Sequence, residues 1–210
     1  GIGGFRLGME SQGHTCIGYC EIDKFARRSY QAIHDTEGEL EYHDITQITD
    51  DQLRKLRGQV DVLCGGFPCQ AFSQAGLKQG FHDTRGTMFF EIQRILAEKR
   101  PKAFLLENVK QLQGDNKGKT LKTILGILCG EFKDSIPTDI PMSEEARNAL
   151  GNKLNYWVDY RVLRAADFGI PQNRERIYIV GFKKKTNFDW DQLELGGGGH
   201  TVGEILEDAP

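Results

Sequence analysis

Three kinds of reactive side chain in this sequence each stand next to a short apolar run, and their placement decides what chemistry they can do. The sharpest case is Gly65-Gly66-Phe67-Pro68-Cys69-Gln70-Ala71-Phe72-Ser73, directly after the apolar run Val60 to Cys64. Two glycines free the backbone, and Pro68 fixes its own φ and holds Phe67 extended, so Cys69 is presented on a defined loop. A structural cysteine lies inside an apolar run, as Cys64 does, and is usually inert. A free thiol of pKa about 8.5 is only a few per cent thiolate at neutral pH, so a nucleophilic Cys69 needs positive charge or hydrogen bonds around it. A metal site on Cys64 and Cys69 is disfavoured, because the spacing lacks a second ligand pair.

The run Lys102 to Leu106 delivers Glu107-Asn108-Val109 in the same way. A carboxyl group beside an apolar strand can be partly desolvated, with its pKa raised towards neutrality, and can then donate a proton to a bound ring nitrogen; it can equally be a plain helix-capping acid. Gln172-Asn173-Arg174-Glu175-Arg176 precedes the run Ile177 to Val180. If extended, it sets Gln172, Arg174 and Arg176 on one face, where two guanidinium groups could hold a phosphate or a carbonyl oxygen.

Gly1-Ile2-Gly3-Gly4 stands before the helical stretch Phe5 to Glu10 and could let backbone amides approach a ligand, though a tight turn accounts for it equally. Arg6 occupies the place of the third glycine of the dinucleotide fingerprint, which counts against a nicotinamide or flavin cofactor. Glu21 follows the glycines at roughly 20 residues, the separation at which an acid accepts hydrogen bonds from ribose hydroxyls. Asp44 and Ile45 fall at the end of the next strand and could flank an adenine, or could be a capping Asp beside a core Ile.

The elements that must position these residues can be read from periodicity. Apolar runs alternate with stretches of helical period: Thr15 to Cys20 then Phe25 to Ile33, Val60 to Cys64 then Met88 to Leu96, Ala103 to Leu106 then Leu121 to Phe132. Two further strands are expected over Tyr156 to Leu163 and Arg176 to Phe182. The alternation predicts an α/β fold with a doubly wound, mostly parallel sheet, whose ligands bind outside the carboxyl ends of the strands. In the middle helix Met88, Phe89, Ile92, Ile95 and Leu96 form a buried stripe, with Glu91, Arg94 and Glu98 expected to face water. Residues 133–152, with Pro137 and Pro141, read as an inserted surface loop without chemistry, carrying a short helix over Ser143 to Leu150. Gly196 to Gly199 is a linker or a junction.

With 210 residues, 39% hydrophobic and 27% charged, the composition is that of one globular domain. The apolar runs are too short to span a bilayer, and the five cysteines lack paired spacing, so a soluble, cytoplasmic protein in a reducing compartment is expected. The net charge of −3 gives no general attraction to nucleic acid. Phosphate contacts must come from local groups such as Arg174, Arg176, Lys183 to Lys185 and the Lys117, Lys119, Lys122 cluster.

In order and spacing these residues resemble the DNA cytosine-5 methyltransferases. The resemblance rests on Gly1-Ile2-Gly3-Gly4-Phe5, Glu21 with Asp23-Lys24, Asp44-Ile45, Gly66-Phe67-Pro68-Cys69-Gln70, Gly86-Thr87-Met88-Phe89-Phe90, Glu107-Asn108-Val109 and Gln172-Asn173-Arg174-Glu175-Arg176. It implies a Rossmann-like fold, S-adenosylmethionine as methyl donor and duplex DNA with a flipped cytosine as substrate. Cys69, Glu107, Arg174 and Arg176 would be catalytic. Gly1, Gly3, Glu21, Ile22, Asp44, Ile45, Phe67, Pro68 and Met88 would bind the cofactor, and Gln70, Ser73 and Gln172 the DNA, with no metal. Gln70 to Arg85 resembles the loop that closes over DNA. Residues 1–190 would form the catalytic and cofactor domain. The family's first strand would precede Gly1, and residues 191–210 would lead towards a target-recognition domain and closing motifs beyond them, so the chain is expected to be a fragment of a monomeric bacterial enzyme with a cognate restriction nuclease. An RNA cytosine-5 methyltransferase and a non-catalytic DNA-binding homologue are the alternatives.

Overall fold

The computed structural model describes residues 1–68, 88–132, 136, 140, 142–196 and 201–204. Cys69, Gln70 and Ser73, the loop they open, and Gly197 to Gly199 lie outside the described residues. The first unit runs through α1 (Gly4–Glu10), β1 (Gly18–Cys20), α2 (Lys24–Ile33), β2 (Leu40–Tyr42) and α3 (Asp50–Lys55). The second runs through β3 (Val62–Gly66), α4 (Met88–Lys99), β4 (Ala103–Val109), α5 (Lys119–Cys129), α6 (Glu144–Ala149), β5 (Trp157–Arg164) and β6 (Glu175–Phe182). Helix starts follow local chemistry: the Asp23 carboxylate accepts from the amides of Phe25 and Ala26, and Thr49 and Gln52 form a reciprocal capping box.

Among the described residues β1 and β2 pair in parallel, and a second sheet has the order β3-β4-β6-β5. β3 and β4 are parallel, joined through α4, while β6 is antiparallel to both its neighbours. Three of the four strands in that sheet therefore run one way, and the sheet is mixed but mostly parallel. The reversal of β6 has a local cause. β5 and β6 are joined by a short connection closed by Ala165 N to the Arg174 carbonyl at 2.9 Å, and a connection that short cannot cross over to a parallel neighbour. Because β6 runs backwards, its amino end, with Arg176, arrives at the edge where β3 and β4 end.

The core forms where α4 and α5 meet this sheet: Phe89, Phe90, Leu96, Leu106, Ile124, Leu128, Ile177 and Ile179 are buried together. Gly181 faces Phe104 across the β4–β6 pair, and a Cβ there would lie 2.1 Å from the ring, so glycine is what lets Phe104 fill the core. The Phe104 ring meets Tyr156 edge-on at 5.1 Å, and the Tyr156 hydroxyl donates to the Pro101 carbonyl at 2.8 Å.

Helix α4 departs from the expected stripe. Glu91 and Arg94, read from periodicity as facing water, are 2% and 1% exposed. Glu98 stays near the surface and pairs with Arg54 at 2.9 Å. The reason is tertiary: α6, expected on a surface loop, packs on α4 with Ala146 and Ala149 buried, while the turn at Ile45–Gln47 and Ile48 covers another side. The two charges are admitted because they pair with one another at 2.9 Å.

Candidate active site

Glu107 lies in β4 opposite Gly66 of β3, and Arg176 lies opposite Val109 in β6. Glu107 and Arg176 are thus diagonal cross-strand neighbours on one face, and their side chains form an ion pair, Arg176 Nε to Glu107 Oε1 at 2.8 Å. Both are about three-quarters buried, which protects the pair from screening. Gly66 makes room for it: a Cβ there would stand 3.3 Å from Glu107 Oε2.

Asn108, the next residue of β4 and buried on the opposite face of the sheet, ties this strand end to the segment leading into Cys69. Its Nδ2 donates to the Phe67 carbonyl at 3.0 Å, and its Oδ1 accepts from the Val109 amide at 2.8 Å. Phe67 is itself buried, its ring 5.6 Å from that of Phe89, so the last described turn before Cys69 is anchored by both a hydrogen bond and core packing. Pro68 is exposed and Met88 packs against the edge of the core.

Gln172 and Arg174 are exposed and line, with Lys110, Gln111, Asn173, Glu175 and Arg176, a polar cleft of about 290 Å³. Lys110 Nζ meets both carboxylate oxygens of Glu175 at 2.8 Å, bridging the end of β4 to the start of β6 beside the Glu107–Arg176 pair. The Tyr178 phenol next to them is pushed up by burial and by the nearby Glu107 charge. Neither Asn108 nor Lys110 was singled out from sequence; Asn108 stands inside the Glu107-Asn108-Val109 motif, and that was the available signal.

At the other unit, Glu21 follows β1 and Asp44 follows β2, so the parallel pairing sets both at one edge. The Glu21 carboxylate pairs with the Gly1 amino group and accepts from the Asp23 amide at 2.8 Å, which places the glycine turn against it. Gly3 has φ +96, and a Cβ there would lie 2.1 Å from His34 Nε2, which sits 3.1 Å from the Ile2 carbonyl. A side chain is therefore excluded twice, by backbone conformation and by the His34 ring. Gly1 and Ile22 are exposed. Asp44 caps the turn Ile45–Gln47 through Thr46, and Ile45 packs between the two apolar clusters, so the capping role read from sequence is present in the geometry. The substituent-free glycine turn, the strand-end carboxylate and the exposed Ile22 fit a nucleoside-bearing ligand.

Burial pushes the half-buried Cys64 thiol up to about 11, which leaves it protonated at neutral pH, as expected of a structural thiol. No helix of the described residues is long and apolar enough to cross a membrane.

A Rossmann-like sheet with a strand-end acid at one unit and a carboxylate–guanidinium pair at the other defines a methyltransferase-type α/β domain. Solved structures of that class superpose on the chain. A putative DNA modification methyltransferase encoded within an Escherichia coli prophage gives a TM-score of 0.69 at 24% identity, over 100% of this chain and 53% of that one. The Dnmt2 methyltransferase of S. pombe gives 0.60 at 19%, over 91% and 50%. In sequence, the Type II methyltransferase M.NlaX of Neisseria lactamica is 46% identical over 100% of this chain and 58% of its own length. M.HpaII of Haemophilus parainfluenzae is 45% identical over 89% and 45%. The model of the C-5 cytosine-specific DNA methylases matches residues 1–129 and 146–208, and the chain belongs to that family. It spans about half the length of the curated relatives it matches.

Proposed function

We propose that the complete protein transfers a methyl group to carbon 5 of cytosine in duplex DNA, through a covalent bond between that base and Cys69. The observation that carries this reading is the Glu107–Arg176 ion pair, whose Arg176 lines the polar cleft and whose Glu107 precedes Asn108, the residue that holds the segment leading into Cys69.

A stacked cytosine hides its ring carbons, so the base must leave the helix to reach the cleft. The Cys69 thiolate adds to carbon 6, forming a sulfur–carbon bond. The electron pair displaced from the 5,6 double bond would leave negative charge on the ring, and Glu107 opposes that by hydrogen-bonding to or protonating ring nitrogen 3, a role that its carboxyl takes in the protonated form rather than as the partner of Arg176. Arg176, already aligned with Glu107, donates to the exocyclic oxygen and stabilises the same charge. Carbon 5 is thereby made nucleophilic. After methylation, loss of the carbon-5 proton lets the ring expel Cys69 as thiolate and restores the double bond. Arg174 and Gln172, exposed at the cleft mouth, suit contacts with the DNA backbone, and Gln70 and Ser73, which follow Cys69 in sequence, carry side chains of the same kind.

S-adenosylmethionine, when bound, supplies an electrophilic methyl group. Gly1 and Gly3 would admit its backbone-hugging tail, Glu21 its ribose hydroxyls, and Ile22, Asp44 and Ile45 its adenine, with Phe67, Pro68 and Met88 towards the reacting end. Residues 1–190 make up the catalytic and cofactor part, and 191–210 lead towards target recognition. The Type II names and bacterial sources of the relatives support a bacterial enzyme paired with a restriction nuclease; a monomeric, cytoplasmic protein is the reading from the sequence.

The test is to incubate the complete protein with S-adenosylmethionine and duplex DNA carrying 5-fluorocytosine, where the carbon-5 proton cannot be lost. A denaturation-resistant adduct that disappears in Cys69→Ala is expected. An adduct on transfer RNA but on no duplex would move the substrate to RNA, and no adduct with either would leave a non-catalytic binding protein.

A further inference from the structure

Arg94, in the middle of α4, is 1% exposed and yet spends much of its hydrogen-bonding capacity on main-chain oxygens. Neutralising it takes only the carboxylates of Glu91, at 2.9 Å, and Asp50, at 2.8 Å. Its remaining reach goes to the carbonyls of Ile48, at 2.8 Å from Nη1, and Ile45, at 3.1 Å from Nη2. Those two carbonyls bracket the short turn that follows Asp44. A planar guanidinium spreads its donors over three nitrogens in a fixed fork and holds both carbonyls and both carboxylates at once, whereas an ammonium has only three donors, on a single nitrogen. The other end of the network leaves the cofactor unit: Glu91 Oε1 accepts from the Ser143 hydroxyl at 2.6 Å, and Ser143 lies in residues 130–145, the stretch between the two parts of the family match.

We propose that Arg94 is a positioning residue for the cofactor's adenine end, holding the Asp44–Ile45 turn in place, and that Ser143 sets Arg94 through Glu91. The inserted segment thus reaches the cofactor site by three successive hydrogen bonds, Ser143 to Glu91, Arg94 to Glu91, and Arg94 to Ile45. This rests on the reading that Asp44 and Ile45 flank S-adenosylmethionine.

The experiment measures S-adenosylmethionine binding by calorimetry, and steady-state kinetics, on the complete protein and its Arg94→Lys, Ser143→Ala and Glu21→Ala variants, with circular dichroism to establish folding. Arg94→Lys keeps a charge for the carboxylates but loses the double carbonyl grip. Its cofactor Kd is expected to rise about tenfold, the scale of one lost hydrogen bond from a charged donor, and that of Ser143→Ala about threefold, because Ser143 acts on the turn only through Glu91 and Arg94. The KM for DNA, and kcat at saturating cofactor, should stay within about twofold, since only a loop that meets the cofactor has moved. An unchanged cofactor Kd in folded Arg94→Lys, or an equal rise in the KM for DNA, overturns the proposal. If Arg94→Lys does not fold, Ser143→Ala decides: a raised cofactor Kd supports the relay and an unchanged one overturns it. Glu21→Ala separates the two readings. If it weakens binding while Arg94→Lys does not, only the positioning role falls; if neither changes it, the cofactor site itself is misplaced.

Discussion

Glu107 and Arg176 illustrate how much a single contact can decide. Each alone has an ordinary structural explanation, a strand-end acid and a strand-start base; aligned at 2.8 Å beside the Cys69 segment they offer two polar groups to one edge of a pyrimidine. Glu107→Gln and Arg176→Met are each expected to lower kcat by about 10² to 10³, the usual cost of removing one donor to developing charge. The double variant should lose little more than the worse single one, because the two act as a unit. Stopped assays at saturating substrate check this, and multiplicative losses would show that the residues act separately. Cys64→Ala is the matching control. Burial holds that thiol at about 11, so it is no nucleophile, and turnover should stay within about threefold of the parent.

Helix α4 shows where periodicity reasoning succeeded and where it stopped. Its existence and apolar stripe were legible, because Phe89, Ile92 and Leu96 repeat at helical spacing, although the helix runs on from Leu96 to Lys99. The opposite face looked solvated since it carries Glu91, Arg94 and Glu98; Glu98 does stay near the surface, but sequence spacing cannot tell that other segments will fold over Glu91 and Arg94. Lys99, at the last turn, is 7% exposed, and burial lowers it to about 8. A lysine whose folded pKa lies below its usual 10.5 costs stability in full below pH 8, and that cost is relieved as pH rises from 8 to 10.5. Lys99→Met should therefore raise the melting temperature at pH 7, with the gain shrinking over that interval. A gain independent of pH would mean that the methionine packs better and that the charge was never penalised.

At the scale of the whole molecule, charge is distributed rather than abundant. The chain carries −3 overall, while the cleft mouth gathers Arg174, Arg176 and Lys110 around one acid, Glu175. Attraction to DNA must then be local, and each phosphate contact should be visible in the salt dependence. Arg174→Gln in the complete protein is expected to lower the slope of log K against log salt by about one, with affinity falling on all DNA sequences alike. A slope unchanged by the substitution would put Arg174 out of contact with phosphate.

What the sequence determined by itself was the alternation of strands and helices, apart from the short helix Asp50–Lys55, and the chemical character of each strand end, since both are local: apolar runs, helical spacing, glycines next to a proline and cysteine. The capping role of Asp44 and the inert nature of Cys64 were legible for the same reason. The tertiary structure alone decided that β6 runs backwards between β4 and β5, so that Arg176 meets Glu107, and that α6 covers α4, so that Arg94 and Glu91 are buried. Both outcomes depend on contacts between residues tens of positions apart, and no local pattern encodes which distant surface a strand or helix will meet.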